Sequence, residues 1–258
     1  MKELTPEQIQ KNWEQLRSLI NNTFEGERLE KLNKMYDYFE DRMCIAPASG
    51  VEYYHYAHVG GYVEHVLHVV DLALKLTNLW QAEGATIDFT DEEIIFAALH
   101  HDLGKVGDME NDYYIPNESE WHRKNQGKIF AHNDKLQYMT VTDRAVYLLG
   151  LFEIPMTENE YIGLRLTDGL YEEANKKYYI TYSPGNTLKT NIAYILHAAD
   201  SMATHIEYDE WKRGEIQEEV KVQKNVDNIK KAVTLEETSE QLSTKSQDLF
   251  NELFGDKK

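Results

Sequence analysis

Apolar residues recur three and four positions apart over most of the chain. Residues 5–20, for example, carry Ile9, Trp13 and Leu16 at this spacing. Such a repeat places apolar side chains on one face of an α-helix. Similar repeats predict helices over about residues 27–43, 61–80, 91–101, 133–150, 158–168 and 187–208. Because strands and helices do not alternate along the chain, a Rossmann-type fold is excluded.

Two segments interrupt the helical pattern. Residues 112–116 and 127–130 are separated by polar turn residues and predict a short hairpin, and residues 178–182 are a second extended candidate. We therefore expect an all-α fold with one or two short β-hairpins. We also expect N-terminal helices over 1–45 that pack on a core domain at 46–208. The highly charged residues 209–258 predict a helical C-terminal tail.

The balance of charges limits the possible partners. The 258 residues include 27 basic and 45 acidic side chains, which gives a net charge of −18. Such a surface repels nucleic-acid backbones and anionic lipids, so we expect neither long nucleic acid nor a membrane as partner. The single cysteine, Cys44, excludes an internal disulfide and suits a reducing cytoplasm. An anionic substrate would need a local source of positive charge.

Four polar side chains occupy helix faces that are otherwise apolar: His65, His101, Asp102 and Asp200. A single inward-facing His is usually a hydrogen-bonded core residue, and an inward-facing Asp can cap a neighbouring helix. A buried carboxylate costs several kcal/mol unless it is paired or binds a cation, and no basic residue stands at an obviously matching position. One divalent cation would compensate both carboxylates and bind both neutral imidazoles. Four such residues on three helices therefore predict a metal site.

The same residues carry a resemblance to a known family. His65, the run LHHDLGK over residues 99–105 and Asp200 resemble the motif of the HD-domain metal-dependent phosphohydrolases. That motif has a separated His, an adjacent His-Asp pair and a distal Asp. The segment HYAHVGGYVEH over residues 55–65 is similar to the branch that includes 3′–5′ exoribonuclease HD domains, although Tyr56 stands where that branch has a second His. The resemblance covers about residues 50–207 and implies an HD-domain helical bundle.

The resemblance also implies roles around the metal. Lys105 is expected to contact the substrate phosphate, and we regard it as a candidate catalytic residue. Arg165 is a second candidate, because a guanidinium binds phosphate oxygens in a bidentate manner; a surface ion pair with Asp168 is the alternative.

Three histidines are further candidates. His132 is a candidate for proton transfer or for an added metal ligand, and His55 and His58 precede the Gly-Gly turn and are candidates for substrate binding.

The expected function follows from the donor set. Two His and two Asp without a thiolate favour Mn²⁺, Fe²⁺, Mg²⁺ or Co²⁺ over Zn²⁺. Between the His-Asp pair and the predicted helix that carries Asp200, the histidines are His122 and His132, so one ion is favoured over two. We expect hydrolysis of a phosphate ester or anhydride of a small nucleotide or deoxynucleotide by metal-activated water. The alternatives are a phosphodiesterase acting on cyclic or short oligonucleotides, and a catalytically weak nucleotide-binding or interaction module.

Overall fold

Helices make up most of the structure. The computed structural model describes residues 3–181 and 183–214, and in this part it contains one two-stranded antiparallel sheet. The helices are α1 (Pro6–Thr23), α2 (Gly26–Ile45), α3 (Gly61–Ala82), α4 (Asp91–His100), α5 (Glu120–Gln126), α6 (Val141–Leu151), α7 (Glu158–Arg165), α8 (Lys176–Tyr179) and α9, described over residues 192–214. The prediction of an all-α fold with a short hairpin is confirmed.

Threonine caps fix where several helices begin. Thr90 accepts a hydrogen bond from the backbone N–H of Glu93 at 3.2 Å, and the Glu93 carboxylate accepts one from the backbone N–H of Thr90 at 2.9 Å. This reciprocal pair satisfies two backbone groups at the start of α4. Helix α6 begins at Val141 and not at residue 133, because Thr140 caps it by accepting the backbone N–H of Asp143.

The core forms around α3. Helices α1 and α2 pack against α3, which also packs against α4, and α4 packs against α7. Large side chains of α1 and α2, among them Leu16, Met35 and Phe39, are fully buried in this core. The described residues up to Trp211 belong to one compact unit.

The hairpin lies where the sequence predicts one, with shifted bounds. Strand β1 (Tyr114–Pro116) pairs with β2 (Phe130–His132), and α5 lies in the connection between them, where the sequence analysis expects only a turn. The second extended candidate is wrong over residues 178–179. These residues belong to the helical turn α8, whose Tyr179 hydroxyl donates a hydrogen bond to the carbonyl of Leu166 at 2.9 Å.

The predicted tail over residues 209–258 can be compared with the structure only at its start. Residues 209–214 are helical and belong to α9, and residues 215–258 lie outside the described residues. Among the helices described, none is both long enough and apolar enough to cross a membrane.

Candidate metal centre

The four predicted metal ligands lie together in the structure. His65 is on α3, His101 and Asp102 follow α4, and Asp200 is on α9. The Nε2 atoms of His65 and His101 are 3.4 Å apart. The His65 Nε2 lies 3.3 Å from Asp200 Oδ1 and 3.6 Å from Asp102 Oδ2, and the His101 Nε2 lies 3.7 and 3.6 Å from the same two oxygens. Two nitrogens and two oxygens from three elements therefore surround one point.

Hydrogen bonds on the far side of each ring orient the two histidines. The Nδ1 of His101 donates to the carbonyl of Ala98 at 2.7 Å, and the Nδ1 of His65 donates to the Glu207 carboxylate at 3.0 Å. In the neutral ring, a proton on Nδ1 leaves a lone pair on Nε2, the atom that faces the cluster. The arrangement fits a divalent metal ion.

The neighbouring His100 has a different environment. Its Nδ1 donates to the carbonyl of Phe96 at 2.7 Å, and its Nε2 lies 3.2 Å from the hydroxyl of Tyr36. Both ring nitrogens are thus engaged within the core, so His100 is a hydrogen-bonded core histidine and not a candidate metal ligand.

Glu207 is the residue that the sequence analysis misses. It is fully buried, and its carboxylate accepts hydrogen bonds from the Nδ1 atoms of both His65 and His68, the latter at 2.8 Å. Burial raises the pKa of Glu207, but the charge of His65 and these hydrogen bonds outweigh it and lower the pKa to about 2. A sequence signal existed, because Glu207 follows Asp200 by seven residues and lies on the same helix face.

The carboxylates give the cluster a strongly negative electrostatic potential. Burial alone lowers the pKa of His65, but the charges of Glu207 and Asp200 and their hydrogen bonds raise it to about 10. Burial raises the pKa of Asp200, whereas its hydrogen bond with His65 and the charge of His101 hold it well below the usual range. Such a field favours a cation at this point.

Lys105 is the basic side chain nearest to the cluster. Its ammonium donates to Asp102 Oδ2 at 2.6 Å and to the carbonyl of Ala48 at 2.7 Å. The expectation that no basic partner matches the carboxylates is therefore wrong for Asp102. Burial lowers the pKa of Lys105, but the Asp102 charge outweighs it and raises the pKa above the usual value. An ammonium has three donors, so a third donor remains for a substrate oxygen.

A close backbone approach positions the turn that carries Lys105. This 3-10 turn spans Leu103–Val106, and a Cβ at Gly104 would lie 2.1 Å from the carbonyl oxygen of Val141. Only a glycine lets the turn pack this tightly against the start of α6.

His55, a predicted substrate contact, lies beside the cluster. Its ring centroid is 4.7 Å from that of His65, and it can form a group of metal ligands with His65 and Asp102. Its Nδ1 is buried and has no hydrogen-bond partner among the described residues. Burial and the positive charges of Lys105 and His65 lower the pKa of His55 to about 3.

The other predicted substrate contacts have partners of their own. His58 is buried, with its Nδ1 3.1 Å from the carbonyl of Val59 and its Nε2 3.5 Å from Glu64. The Arg165 guanidinium donates to the side-chain oxygen of Asn175 at 2.8 Å. These contacts do not join either residue to the four ligands.

Asp168, considered as an ionic partner of Arg165, lies near the cluster. Its carboxylate accepts a hydrogen bond from the Thr142 hydroxyl at 3.2 Å. Burial raises the pKa of Asp168, and the negative charges of Asp102 and Asp200 raise it further. The Asp168 carboxylate is therefore within electrostatic range of two of the four ligands.

His132 lies on the hairpin. It stands opposite Tyr114 in the sheet, and its ring centroid lies 4.8 Å from that of Tyr113 and 5.5 Å from that of Tyr114. The Tyr114 ring packs against Gly50, where an added Cβ would lie 3.0 Å from its Cε1, and the carbonyl of Ala48, two residues earlier, accepts a hydrogen bond from Lys105. Burial raises the pKa of Tyr114 to about 12. The hairpin thus holds His132 beside a tyrosine near the cluster.

No model of a known protein family, no curated protein and no solved structure matches this chain. The likeness to HD-domain enzymes therefore depends on the motif residues alone.

Proposed function

We propose that this protein is a metal-dependent phosphohydrolase of the HD type that acts on a nucleotide or deoxynucleotide. One observation carries the proposal. The Nε2 atoms of His65 and His101 lie 3.4 Å apart, and each lies within 3.7 Å of carboxylate oxygens from both Asp102 and Asp200. Asp102 is buried and Asp200 partly buried, and two carboxylates at this spacing are stabilised by a cation. With the proton on Nδ1, each neutral imidazole would face that cation with the lone pair of Nε2.

The donor set suggests which ion is held. Two imidazole nitrogens and two carboxylate oxygens suit Mn²⁺, Fe²⁺, Mg²⁺ or Co²⁺ better than structural Zn²⁺. Such an ion would polarise a phosphoryl group and lower the pKa of a bound water. We propose one ion; the group formed by His55, His65 and Asp102 makes a second ion the alternative.

The chain's own residues would orient the substrate. Lys105 already holds Asp102 in place, and its remaining donor can bind a phosphate oxygen. Its positive charge is maintained by Asp102 at 2.6 Å, so it acts as a fixed cation beside the reacting phosphate. The catalytic roles of Arg165 and His132 stay predictions, as do the substrate contacts of His55 and His58.

The substrate class follows from charge. A chain with a net charge of −18 repels a long phosphate backbone, whereas a small nucleotide can approach a localised cationic centre. A small nucleotide is therefore the substrate that we propose, and the single cysteine supports a reducing, cytoplasmic location.

The test measures metal and turnover on the full chain. Elemental analysis after loading with Mn²⁺ should find bound metal. The loaded protein should release phosphate, pyrophosphate or triphosphate from at least one nucleotide in a mass-spectrometric screen. In Asp102→Asn this release should fall by about a hundredfold or more. The matched control is Asp71→Asn, which changes an exposed carboxylate paired with Lys75 on α3 and should leave release unchanged.

Each outcome has a clear meaning. A protein that binds none of the four ions would contradict the proposal. Bound metal and bound nucleotide without turnover would favour the nucleotide-binding module. Cleavage restricted to cyclic or short oligonucleotides would favour the phosphodiesterase.

A further inference from the structure

A pocket lined mainly by aromatic rings lies along α9. Its volume is about 380 Å³, and we call it the aromatic pocket; it is lined by Gly169, Leu170, Tyr171, Tyr179, Tyr194 and His197. The rings of Tyr179 and Tyr194 meet edge to face with centroids 5.3 Å apart, and Tyr171 and Tyr179 each lie 6.4 Å from the ring of His197. None of the described residues that line it carries a full charge, so it suits an uncharged, flat ligand.

The aromatic pocket is close to the metal centre. His197 precedes Asp200 by three residues on α9, which corresponds to about 4.5 Å along the helix axis. Gly169 directly follows Asp168, which accepts a hydrogen bond from Thr142 at 3.2 Å, and the neighbouring Val141 packs against Gly104 in the turn after Asp102. A ligand that occupies both the aromatic pocket and the metal centre would span about one turn of α9.

His197 gives the aromatic pocket a directed polar group. Its Nδ1 donates to the carbonyl of Thr167 at 2.6 Å, so in the neutral ring Nε2 is a hydrogen-bond acceptor. A Cβ at Gly169 would lie 2.5 Å from both Cε1 and Nε2 of His197. It would also lie 2.8 Å from Cδ2, so the Gly169 backbone packs over this face of the imidazole and leaves no room for a side chain.

We propose that the aromatic pocket binds the nucleobase of the nucleotide whose phosphate lies at the metal centre. This inference rests on the proposed function. Tyrosine rings stack on every nucleobase, and the His197 Nε2 matches an N–H donor on a base edge. The two ends of a nucleotide thus meet two different environments, an uncharged aromatic one for the base and a cationic one for the phosphate.

The experiment distinguishes the contribution of the base to binding from that of the phosphate. Calorimetry on the full, Mn²⁺-loaded chain, at a temperature where no product forms during the titration, compares ribose 5-phosphate with the 5′-monophosphates of adenosine, guanosine, cytidine and thymidine. Stacking predicts that at least one nucleotide binds about tenfold to a hundredfold more tightly than ribose 5-phosphate. Ribose 5-phosphate contains the sugar and phosphate alone, so its affinity reports on the metal centre.

Two variants locate the base. Tyr171→Ala removes a ring that is 88% exposed and has no role in the core. His197→Phe keeps an aromatic ring but removes both the Nε2 acceptor and the Nδ1 donor to Thr167, so its melting temperature is compared with that of the unchanged protein. Both should reduce the nucleotide preference at least threefold and leave ribose 5-phosphate binding unchanged. Tyr147→Ala is the control, because it removes a ring on α6 that is 50% exposed and lies outside the aromatic pocket.

The result can fail in distinguishable ways. If nucleotides and ribose 5-phosphate bind equally well, the pocket inference is wrong and the proposed function stands. A preference that persists in both variants also overturns it, because the base then binds elsewhere. If neither ligand binds the metal-loaded chain, the inference fails together with the proposed function.

Discussion

The carboxylate of Glu207 lies 3.0 Å from Nδ1 of His65, on the side of the ring opposite the other three candidate ligands. Glu207 and Asp200 are two turns apart on α9, so one helix supplies both a candidate metal ligand and the residue that orients another. Glu207 also accepts a hydrogen bond from His68, which ties the end of this network to α3.

Substitution of Glu207 should weaken metal binding without removing a ligand. The amide of Glu207→Gln keeps one acceptor oxygen but replaces the other, which lies 3.0 Å from His65 Nδ1, with an NH₂ donor, and it has no charge to make His65 more basic. We expect the dissociation constant for Mn²⁺ to rise about tenfold to a hundredfold. Isothermal titration would measure it, and the melting temperature would show that the fold remains.

The control for Glu207 is a Glu→Gln change of equal charge elsewhere. Glu120→Gln breaks only an exposed ion pair with Lys124 and should leave Mn²⁺ affinity unchanged. Equal affinity in both variants would show that Glu207 does not orient a metal ligand.

Lys105 should affect metal binding and activity in opposite directions. Lys105→Met removes a positive charge 2.6 Å from a proposed ligand oxygen of Asp102, so Mn²⁺ should bind at least as tightly as before. The same change removes a donor to the phosphate, so kcat/KM for nucleotide hydrolysis should fall about a hundredfold. Lys75→Met, at an exposed pair with Asp71, should change neither quantity. Weaker Mn²⁺ binding in Lys105→Met would indicate a structural role for this lysine.

The four candidate ligands could be predicted because their positions follow from local periodicity. A helix places residues three, four and seven apart on one face, so a polar residue on an apolar face is visible in the sequence. Glu207 satisfies the same criterion relative to Asp200 and could have been included.

Contacts across turns could not be predicted in this way. The sequence offers Asp168 as the partner of Arg165, but the fold brings Asn175 to its guanidinium. The partner of His58, Glu64, lies across the Gly60-Gly61 turn, whose geometry depends on packing against α1 through Ile9. Helix α6 begins at Val141 and not at the predicted residue 133 for a local reason, because the cap at Thr140 outweighs the apolar spacing before it.

Gly104 should be essential for stability. A Cβ added there would lie 2.1 Å from the carbonyl oxygen of Val141, so Gly104→Ala forces the turn away from α6. We expect the free energy of unfolding in urea to fall by about 2 kcal/mol or more. Gly150→Ala is the control, because no atom lies within 4 Å of its added Cβ and alanine favours a helix; it should be neutral or stabilising by about 0.5 kcal/mol. Equal stability of the two variants would contradict the close approach.

The thiol of Cys44 should react slowly in the folded protein. Burial raises its pKa to about 11, and the charges of Glu40 and Asp41 act in the same direction. At pH 8 the thiolate fraction should therefore be about 100-fold smaller than in the unfolded chain, and alkylation by iodoacetamide correspondingly slower. Because the folded thiol keeps its proton to higher pH, this group's contribution to stability is complete below its unfolded pKa and is lost as the pH rises to about 11. Mass spectrometry of native and urea-unfolded protein would measure the rates, with Cys44→Ala as the blank, and equal rates would contradict the burial of this thiol.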